Sequence, residues 1–120
     1  MFDVSMPISF MEKYVQEVNA NFSMHWNDYK CVVFGHVGDG NLHIIGGVGS
    51  NEEEATELME ACIYEPLKSI KGAVSAEHGI GLEKKNYLEI SRSKTEISLM
   101  RNLKKALDPK NILNPGKIFD

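Results

Sequence analysis

The first half of the chain shows two kinds of apolar spacing, one typical of a helix and one typical of strands. Residues 2–6 predict a short opening strand, which Pro7 closes. Apolar residues then recur at three- and four-residue spacing over residues 9–22, and this spacing predicts an amphipathic helix. Residues 30–48 are rich in Val, Ile and Phe around a Gly-Asp-Gly-Asn interruption, so they predict two strands joined by a tight turn.

The middle of the chain carries a second helical pattern and a short apolar segment. Asn51 can cap this helix, and Pro66 bends or ends it. Its predicted core stripe is Ala55, Leu58, Met59, Cys62 and Ile63. Residues 73–76 predict a short strand, and residues 82–85 predict the basic start of another helix.

The last helical pattern has clear signals at both ends. Ser93 and Glu96 form a capping-box pattern at its start, and Asp108-Pro109 stops it. One face of the helix carries Ile97, Met100, Leu103 and Leu107. Strands that alternate with helices, including one β-hairpin, predict an α+β fold in which helices pack on a small antiparallel sheet. We expect residues 1–120 to form a single domain.

Composition and charge narrow the range of partners. The chain is 42% hydrophobic and 25% charged, close to the average of globular proteins, and its net charge is −4 without a basic cluster. This composition disfavours nucleic acid and anionic membranes as partners. The sequence also lacks the ~20-residue apolar run of a membrane span and the pattern of a secretory signal. We expect Cys31 and Cys62 to be free thiols in a reducing compartment rather than a disulfide.

The predicted hairpin carries candidate chemistry at its tip. If Asp39-Gly40 forms a two-residue type I′ turn, His36 faces His43 across the ladder. Residues in facing positions lie on one side of a sheet with Cβ atoms about 5 Å apart. Two imidazoles at that separation can converge on one metal ion. A histidine pair on a hairpin is more often a plain surface pair, so both interpretations stay open at this point.

A divalent ion needs more than two histidines, and a carboxylate is the natural third ligand. Asp39 and Glu77 are the candidates. An Asp-Gly pair is already explained by the backbone needs of a turn. Glu77 follows Ser75 and Ala76 and precedes Gly79, small residues that let a ligand approach closely, and we therefore prefer it.

Two glycine-rich segments invite a phosphate-binding interpretation. The segment from Gly35 to Gly40 is a poor phosphate cradle because a strand, not a helix, follows it. The segment Gly79-Ile80-Gly81 precedes a predicted helix, so its free amides could face an anion. The alternative is an ordinary glycine-rich start of a helix.

Three blocks of the sequence resemble the signature blocks of the C-terminal domains of FAD-linked oxidases. They are residues 35–43, residues 75–81, and residues 106–109 together with 112–118. The family includes D-lactate dehydrogenases, the flavin subunit of glycolate oxidase and D-2-hydroxyglutarate dehydrogenases. The blocks occur in the order that the family shows, and the resemblance spans nearly the whole chain.

The resemblance implies roles for particular residues and a ferredoxin-like substrate or cap domain. His36, His43 and Glu77 would ligate zinc or a related ion, and His78 would act beside the substrate as general base. Asn41 and Asn114 would approach the flavin or the substrate. Together these roles imply oxidation of a D-2-hydroxy acid, such as D-lactate, glycolate or D-2-hydroxyglutarate, to a 2-oxo acid with hydride transfer to FAD.

The resemblance also implies a longer enzyme. The family's FAD-binding domain lies upstream, so we expect this chain to be part of a larger protein and to be inactive alone. The surface that docks this domain is expected near Asn41, His78 and Asn114. A homodimer could cover it. A cytoplasmic location is expected, with the parent enzyme either free or peripheral to a membrane, and its electrons could pass to a quinone, a cytochrome or an electron-transfer flavoprotein.

Two positions depart from the family pattern. Ala76 stands where many members have Gly, a small change that should spare the loop. Ile45 stands where hydroxyglutarate-type members tend to carry a polar Asn, which favours a smaller or less polar acid. Two other interpretations remain: a stand-alone metal-binding or interaction module, which would lack an exposed apolar face, and a structural domain that binds no metal.

Overall fold

The sheet that supports the rest of the molecule has three antiparallel strands in the order β1-β3-β2. Its strands are β1 (Phe2–Ser5), β2 (Lys30–Phe34) and β3 (Asn41–Gly47). In the described part of the chain, four α-helices accompany them: α1 (Met11–His25), α2 (Glu53–Tyr64), α3 (Leu88–Ser91) and α4 (Lys94–Leu107). The computed structural model describes residues 1–49 and 52–120. This architecture confirms the predicted α+β class, the opening strand and the two strands of the hairpin.

The two faces of the sheet differ in burial, because successive side chains of a strand point to opposite faces and only one face is covered by helices. On one face, Val4, Leu42 and Ile44 belong to a single buried apolar cluster with α1 and α2. The helices contribute Tyr14, Val18, Phe22, Met59, Cys62 and Ile63 to that cluster. A fully buried side chain of this size stabilises the fold by about 1.5–3 kcal/mol. The opposite face carries the polar residues Asp3 and His43 together with the partly exposed apolar residues Val32, Phe34 and Ile45.

The predicted second helix is present and ends as expected. Met59, Cys62 and Ile63 of its predicted stripe are buried, whereas Leu58 is exposed. The chain passes from α2 into a 3₁₀ turn, Glu65–Ile70, that has a proline in its first turn. Asn51, the predicted cap, lies outside the described residues.

Two predicted elements between Ala73 and Lys85 are wrong. Only Ala73 of the predicted strand pairs with the sheet, through a single bridge to Ser5. The basic segment is a turn, and helical structure begins with the 3₁₀ turn Lys85–Tyr87. Gly79 and Gly81 adopt positive φ values of 84° and 56°, which hold the chain in a turn and out of a helix.

The structure confirms the capping box predicted at the start of the last helix, α4. The Ser93 hydroxyl accepts from the Glu96 amide, and the Glu96 carboxylate accepts from the Ser93 amide. The helix ends at Leu107, directly before Asp108-Pro109. Its apolar face is less buried than a core face, because Leu103 and Leu107 are 54% and 82% exposed.

The predicted two-residue turn is the main correction within the hairpin. Val37–Asp39 form a 3₁₀ turn, and Gly40 follows with φ 76°. A type I′ turn would also need positive φ at Asp39, which a residue with a side chain adopts less readily than glycine. His43 therefore faces Phe34 and not His36. The shift is by two residues, so His43 keeps its predicted face of the sheet.

The order of elements is β-α-β-β-α followed by the bridge at Ala73, next to β1. The ferredoxin-like description stays a prediction. Cys31 and Cys62 are both free. Within residues 1–49 and 52–120, every helix is too short or too polar to span a bilayer.

Candidate metal centre

The three predicted metal ligands lie together. His36, His43 and Glu77 each offer one ligand atom, and these atoms all lie within 4.8 Å of one another. They come from a loop, a strand and a second loop that follows α2. The cluster therefore depends on how the fold brings distant segments together, and each segment is held in a different way.

His43 is the fixed member of the cluster. It lies on β3, where its neighbours across the sheet are Asp3 on one side and Phe34 on the other. The Phe34 and His43 rings stack with centroids 5.4 Å apart. His43 is only 7% exposed. A side chain packed between two strands in this way has little freedom to reorient.

His36 reaches the cluster from outside the ladder. It precedes the 3₁₀ turn, and its carbonyl accepts from the amides of Asp39 and Asn41. The His36 and His43 ring centroids are 6.5 Å apart. Gly40 closes this turn beside β1, where a Cβ atom would lie 2.7 Å from the Met6 carbonyl oxygen. The exposed His36 ring can therefore adjust, while its backbone is held.

Glu77 supplies the carboxylate that the sequence favoured over Asp39. Its Oε1 lies 2.9 Å from Nε2 of His43. The Glu77 side chain is 47% exposed, so the cluster opens to solvent on this side. Among the described residues, Asp39 is not part of the group that could hold an ion.

His78 lies beside the cluster. Its ring centroid is 5.5 Å from that of His43. Its Nε2 is 3.8 Å from Glu77 Oε1, and its Nδ1 is 3.3 Å from Asp3 Oδ1. The side chain is 43% exposed, so one edge of the imidazole remains open to a ligand. The predicted catalytic residue and the three predicted metal ligands thus share one site.

Asp3 is the site residue that the sequence analysis missed. It is fully buried, and its Oδ2 accepts from the backbone amides of Ala76, Glu77 and His78 at 2.8, 2.7 and 3.0 Å. Its Oδ1 pairs with the buried ammonium of Lys84. Burial by itself raises the pKa of Asp3, but these hydrogen bonds and Lys84 outweigh it and hold that pKa well below its usual range.

One signal in the sequence could have found Asp3. Phe2 and Val4 alternate with Asp3 and Ser5 in the opening strand, so Asp3 lies on the face opposite the apolar cluster. The pairing of β1 with β3, which places Asp3 opposite His43, is a long-range contact. The local pattern alone does not predict that contact, and it also gave no reason to expect a buried carboxylate there.

The donor set fits a divalent ion. Two ligand atoms bonded to one ion at about 2.1 Å lie roughly 3.0 Å apart at right angles and about 4.2 Å apart at most. The 2.9 Å between Glu77 and His43 matches the shorter value, and the 4.8 Å limit of the cluster needs only a small movement of exposed His36. Two imidazoles and one carboxylate are also a common ligand set for zinc and for iron with open positions.

The two predicted flavin-facing asparagines have different surroundings. Asn41 is buried on β3, two residues before His43 and on the same face. In the described part of the chain, Asn41 Oδ1 and His43 Nδ1 are buried atoms without a hydrogen-bond partner. Asn114 lies instead in the exposed C-terminal tail. The expected exposed docking surface therefore does not include the side chain of Asn41.

The structure does not support anion binding by the segment Gly79-Ile80-Gly81. The Gly79 amide donates to the Ser75 hydroxyl at 2.8 Å and is not free. Helical structure begins only at Lys85, and α3 has four residues. The glycines therefore serve the turn that carries Glu77 and His78.

Comparison with known proteins identifies relatives of this chain. Residues 1–118 match the sequence profile of the family described as FAD linked oxidases, C-terminal domain. The chain is 37% identical to D-2-hydroxyglutarate dehydrogenase of Stutzerimonas stutzeri and 43% identical to that of Xanthomonas citri pv. viticola, in each case over 98% of the chain and 26% of the relative. It is 38% identical to glycolate oxidase subunit GlcD of Bacillus subtilis, over 98% of the chain and 25% of that protein. The chain thus spans about a quarter of the length of these relatives.

Proposed function

The chain belongs to the family of FAD linked oxidase C-terminal domains, and on that premise we propose that it is the metal- and substrate-binding part of a flavin-dependent dehydrogenase. The proposed reaction is oxidation of a D-2-hydroxy acid to the 2-oxo acid. The observation that carries this proposal is the convergence of His36, His43, Glu77 and His78 at one open site. The succession of strands and helices, with its last bridge at Ala73, supports a ferredoxin-like cap.

His36, His43 and Glu77 would hold the ion, with zinc as our proposed metal. A bound ion of this kind supplies Lewis-acid polarisation of the substrate hydroxyl and carboxylate. FAD, held mainly by a flavin-binding domain, supplies the hydride acceptor. The exposed positions of Glu77 and His36 leave the solvent side of the site open for a small chelating acid.

His78 is the proposed general base. Its ring stands beside His43, and its Nδ1 faces Asp3 Oδ1 at 3.3 Å. An imidazole whose Nδ1 is oriented toward a carboxylate presents Nε2 to a substrate. His78 Nε2 would accept the proton of the substrate hydroxyl while hydride leaves the adjacent carbon.

An apolar row beside His43 supports a substrate smaller or less polar than D-2-hydroxyglutarate. Ile45 lies two residues after His43 on the same face of β3, and Val32 is its partner on β2. Ile45, Val32 and Phe34 are 44%, 54% and 49% exposed. An apolar wall discriminates against a second carboxylate, which would lose its water there without gaining a partner.

An exposed apolar surface on α4 and the tail supports docking of the flavin-binding domain. Leu99, Leu103 and Leu107 follow one another at four-residue spacing and are 59%, 54% and 82% exposed. Leu113 lines the same groove as Leu103 and Leu107 and is 63% exposed, and its chain neighbour Ile112 is 72% exposed. Contiguous apolar patches of this kind mark interaction sites. The relatives are about four times as long as this chain. A stand-alone module would not be expected to expose such a face.

The test is turnover by the FAD-loaded full-length enzyme that carries this chain. We expect D-2-hydroxy acids to bleach the flavin band, with D-lactate or glycolate favoured over D-2-hydroxyglutarate. His78→Asn should lower kcat by about 100- to 10,000-fold, as loss of a general base does. The flavin spectrum should be unchanged, and exposed His25→Asn serves as the matched control.

Two results would contradict the proposal. One is a wild-type flavin that no D-2-hydroxy acid reduces. The other is a His78→Asn enzyme that turns over like the wild type.

In the proposed parent enzyme, a quinone, a cytochrome or an electron-transfer flavoprotein reoxidises the flavin, and a homodimer is the proposed assembly.

A further inference from the structure

The loop that carries Glu77 and His78 is attached to the sheet through one side chain. Asp3 Oδ2 accepts from three consecutive amides, those of Ala76, Glu77 and His78, and from the Ser75 hydroxyl at 3.2 Å. These donors are separated from Asp3 by more than seventy residues in sequence. Hydrogen bonds to an ionised carboxylate are stronger than those between neutral groups.

The second oxygen of Asp3 has partners of its own. Oδ1 pairs with the Lys84 ammonium and lies 3.3 Å from His78 Nδ1. Lys84 is 7% exposed, and its Nζ also lies 3.4 Å from the Asp3 carbonyl oxygen. A buried lysine of this kind supplies the charge that lets the carboxylate stay ionised inside the fold.

Asp3 therefore connects the two parts of the candidate site, which are His43 on β3 and the loop that carries Glu77 and His78. From β1 it lies directly opposite His43 on β3, and through its carboxylate it holds the backbone of Glu77 and His78. Three fixed amides set the direction in which both side chains leave the loop. With the loop held in this way, Glu77 Oε1 lies 2.9 Å from His43 Nε2.

We propose that Asp3, neutralised by Lys84, is the positioning residue that holds Glu77 against His43 and His78 beside them. What the positioned groups do rests on the proposed function. The anchoring itself is a property of this chain and can be tested without metal, flavin or substrate.

The test compares three forms of the chain: the wild type, Asp3→Ala/Lys84→Met and Asp3→Asn/Lys84→Met. The lysine is replaced in both variants so that no buried ammonium is left without a partner. The asparagine variant keeps an oxygen that can accept from the three amides, whereas the alanine variant removes it. Two readouts are taken: hydrogen exchange of the amides of residues 76–78 without metal, and the dissociation constant for zinc.

We expect the alanine variant to exchange the amides of 76–78 at least about tenfold faster, while those of β3 and α1 change far less. Its zinc affinity should fall by about 10- to 100-fold, as loss of an orienting partner does at metal sites. The asparagine variant should restore most of the protection. A merely structural role would speed exchange everywhere and leave the zinc affinity of the folded fraction unchanged.

Each outcome decides a separate question. Wild-type protection and zinc affinity in the alanine variant overturn the positioning role. A wild type that binds no zinc, combined with the expected exchange pattern, supports anchoring and contradicts the metal proposal. If the alanine variant does not fold, Asp3→Glu replaces it: the added methylene displaces the carboxylate from the amides, and unchanged exchange at residues 76–78 overturns the proposal.

Discussion

Two loops of this protein are held by the same kind of interaction. In each, an aspartate accepts hydrogen bonds from consecutive backbone amides and pairs with a lysine. Asp3 binds the loop of Glu77 and His78 and pairs with Lys84. Asp108 accepts from the amides of Ile112 and Leu113 at 3.0 and 2.9 Å and pairs with Lys104. The interactions are of the same kind, but the separation in sequence between the aspartate and the amides that it binds differs.

Asp108 binds residues close to it in sequence, whereas Asp3 binds residues that are far from it. Asp108 contacts residues four and five positions away, so it shapes the turn that ends its own helix and leads to Asn114. Asp3 joins the first strand to a loop more than seventy residues later. A local anchor ends an element, whereas a long-range anchor can assemble a site from separate segments. This difference predicts different responses to the same substitution.

The largest expected effect is the loss of stability in Asp3→Ala. Breaking a buried ion pair and leaving Lys84 uncompensated costs about 3–5 kcal/mol of unfolding free energy. Asp108→Ala should lose less, because Lys104 is half-exposed and can turn to solvent. Urea unfolding of the two variants measures the comparison. Equal losses would remove the distinction between the two anchors.

The next effect is the response of stability to acid. Because its pKa is lowered in the folded state, Asp3 contributes stability that is fully present above the unfolded-state pKa of about 4. That contribution is lost as the pH falls below this value toward the folded-state pKa. The urea midpoint should therefore drop between pH 7 and pH 3 in the wild type and drop less in Asp3→Asn/Lys84→Met. An identical drop in both would mean that Asp3 does not govern the acid response.

The smallest effect concerns the helix that carries the local anchor. Ser93→Ala removes the N-cap of α4, which should cost about 1 kcal/mol of unfolding free energy. Ser98→Ala, at an exposed position inside the same helix, is the matched control and should change stability little. Thermal unfolding measures both. Ser93→Ala that melts like Ser98→Ala would show that the cap is dispensable.

The same contrast explains what could be predicted from the sequence. The capping box at Ser93, the stop at Asp108-Pro109 and the strands of the hairpin depend on neighbouring residues, and they were confirmed. The prediction of a two-residue Asp39-Gly40 turn was wrong, because a 3₁₀ turn closes the hairpin and, of these two residues, only Gly40 has a positive φ. For Asp3 the alternation in β1 indicates only its face of the sheet, because its role depends on the register between β1 and β3.

The candidate ligands illustrate the same limit. His36 and His43 were expected to meet by facing each other across the ladder, yet His43 faces Phe34 and His36 lies in the loop. The centroids of the two rings are nevertheless 6.5 Å apart. The residue types were identified from the motifs, whereas the geometry that unites them depends on tertiary packing.

The most direct test of the central claim is a zinc titration of the 120-residue chain against a chromophoric chelator. We expect one zinc ion per chain in the wild type. His43→Ala and Glu77→Gln should each weaken binding by at least about 100-fold, more than loss of an orienting partner does, and exposed His25→Ala should bind like the wild type. Equal zinc content in the wild type and in His43→Ala would contradict the assignment of His36, His43 and Glu77 as the metal centre.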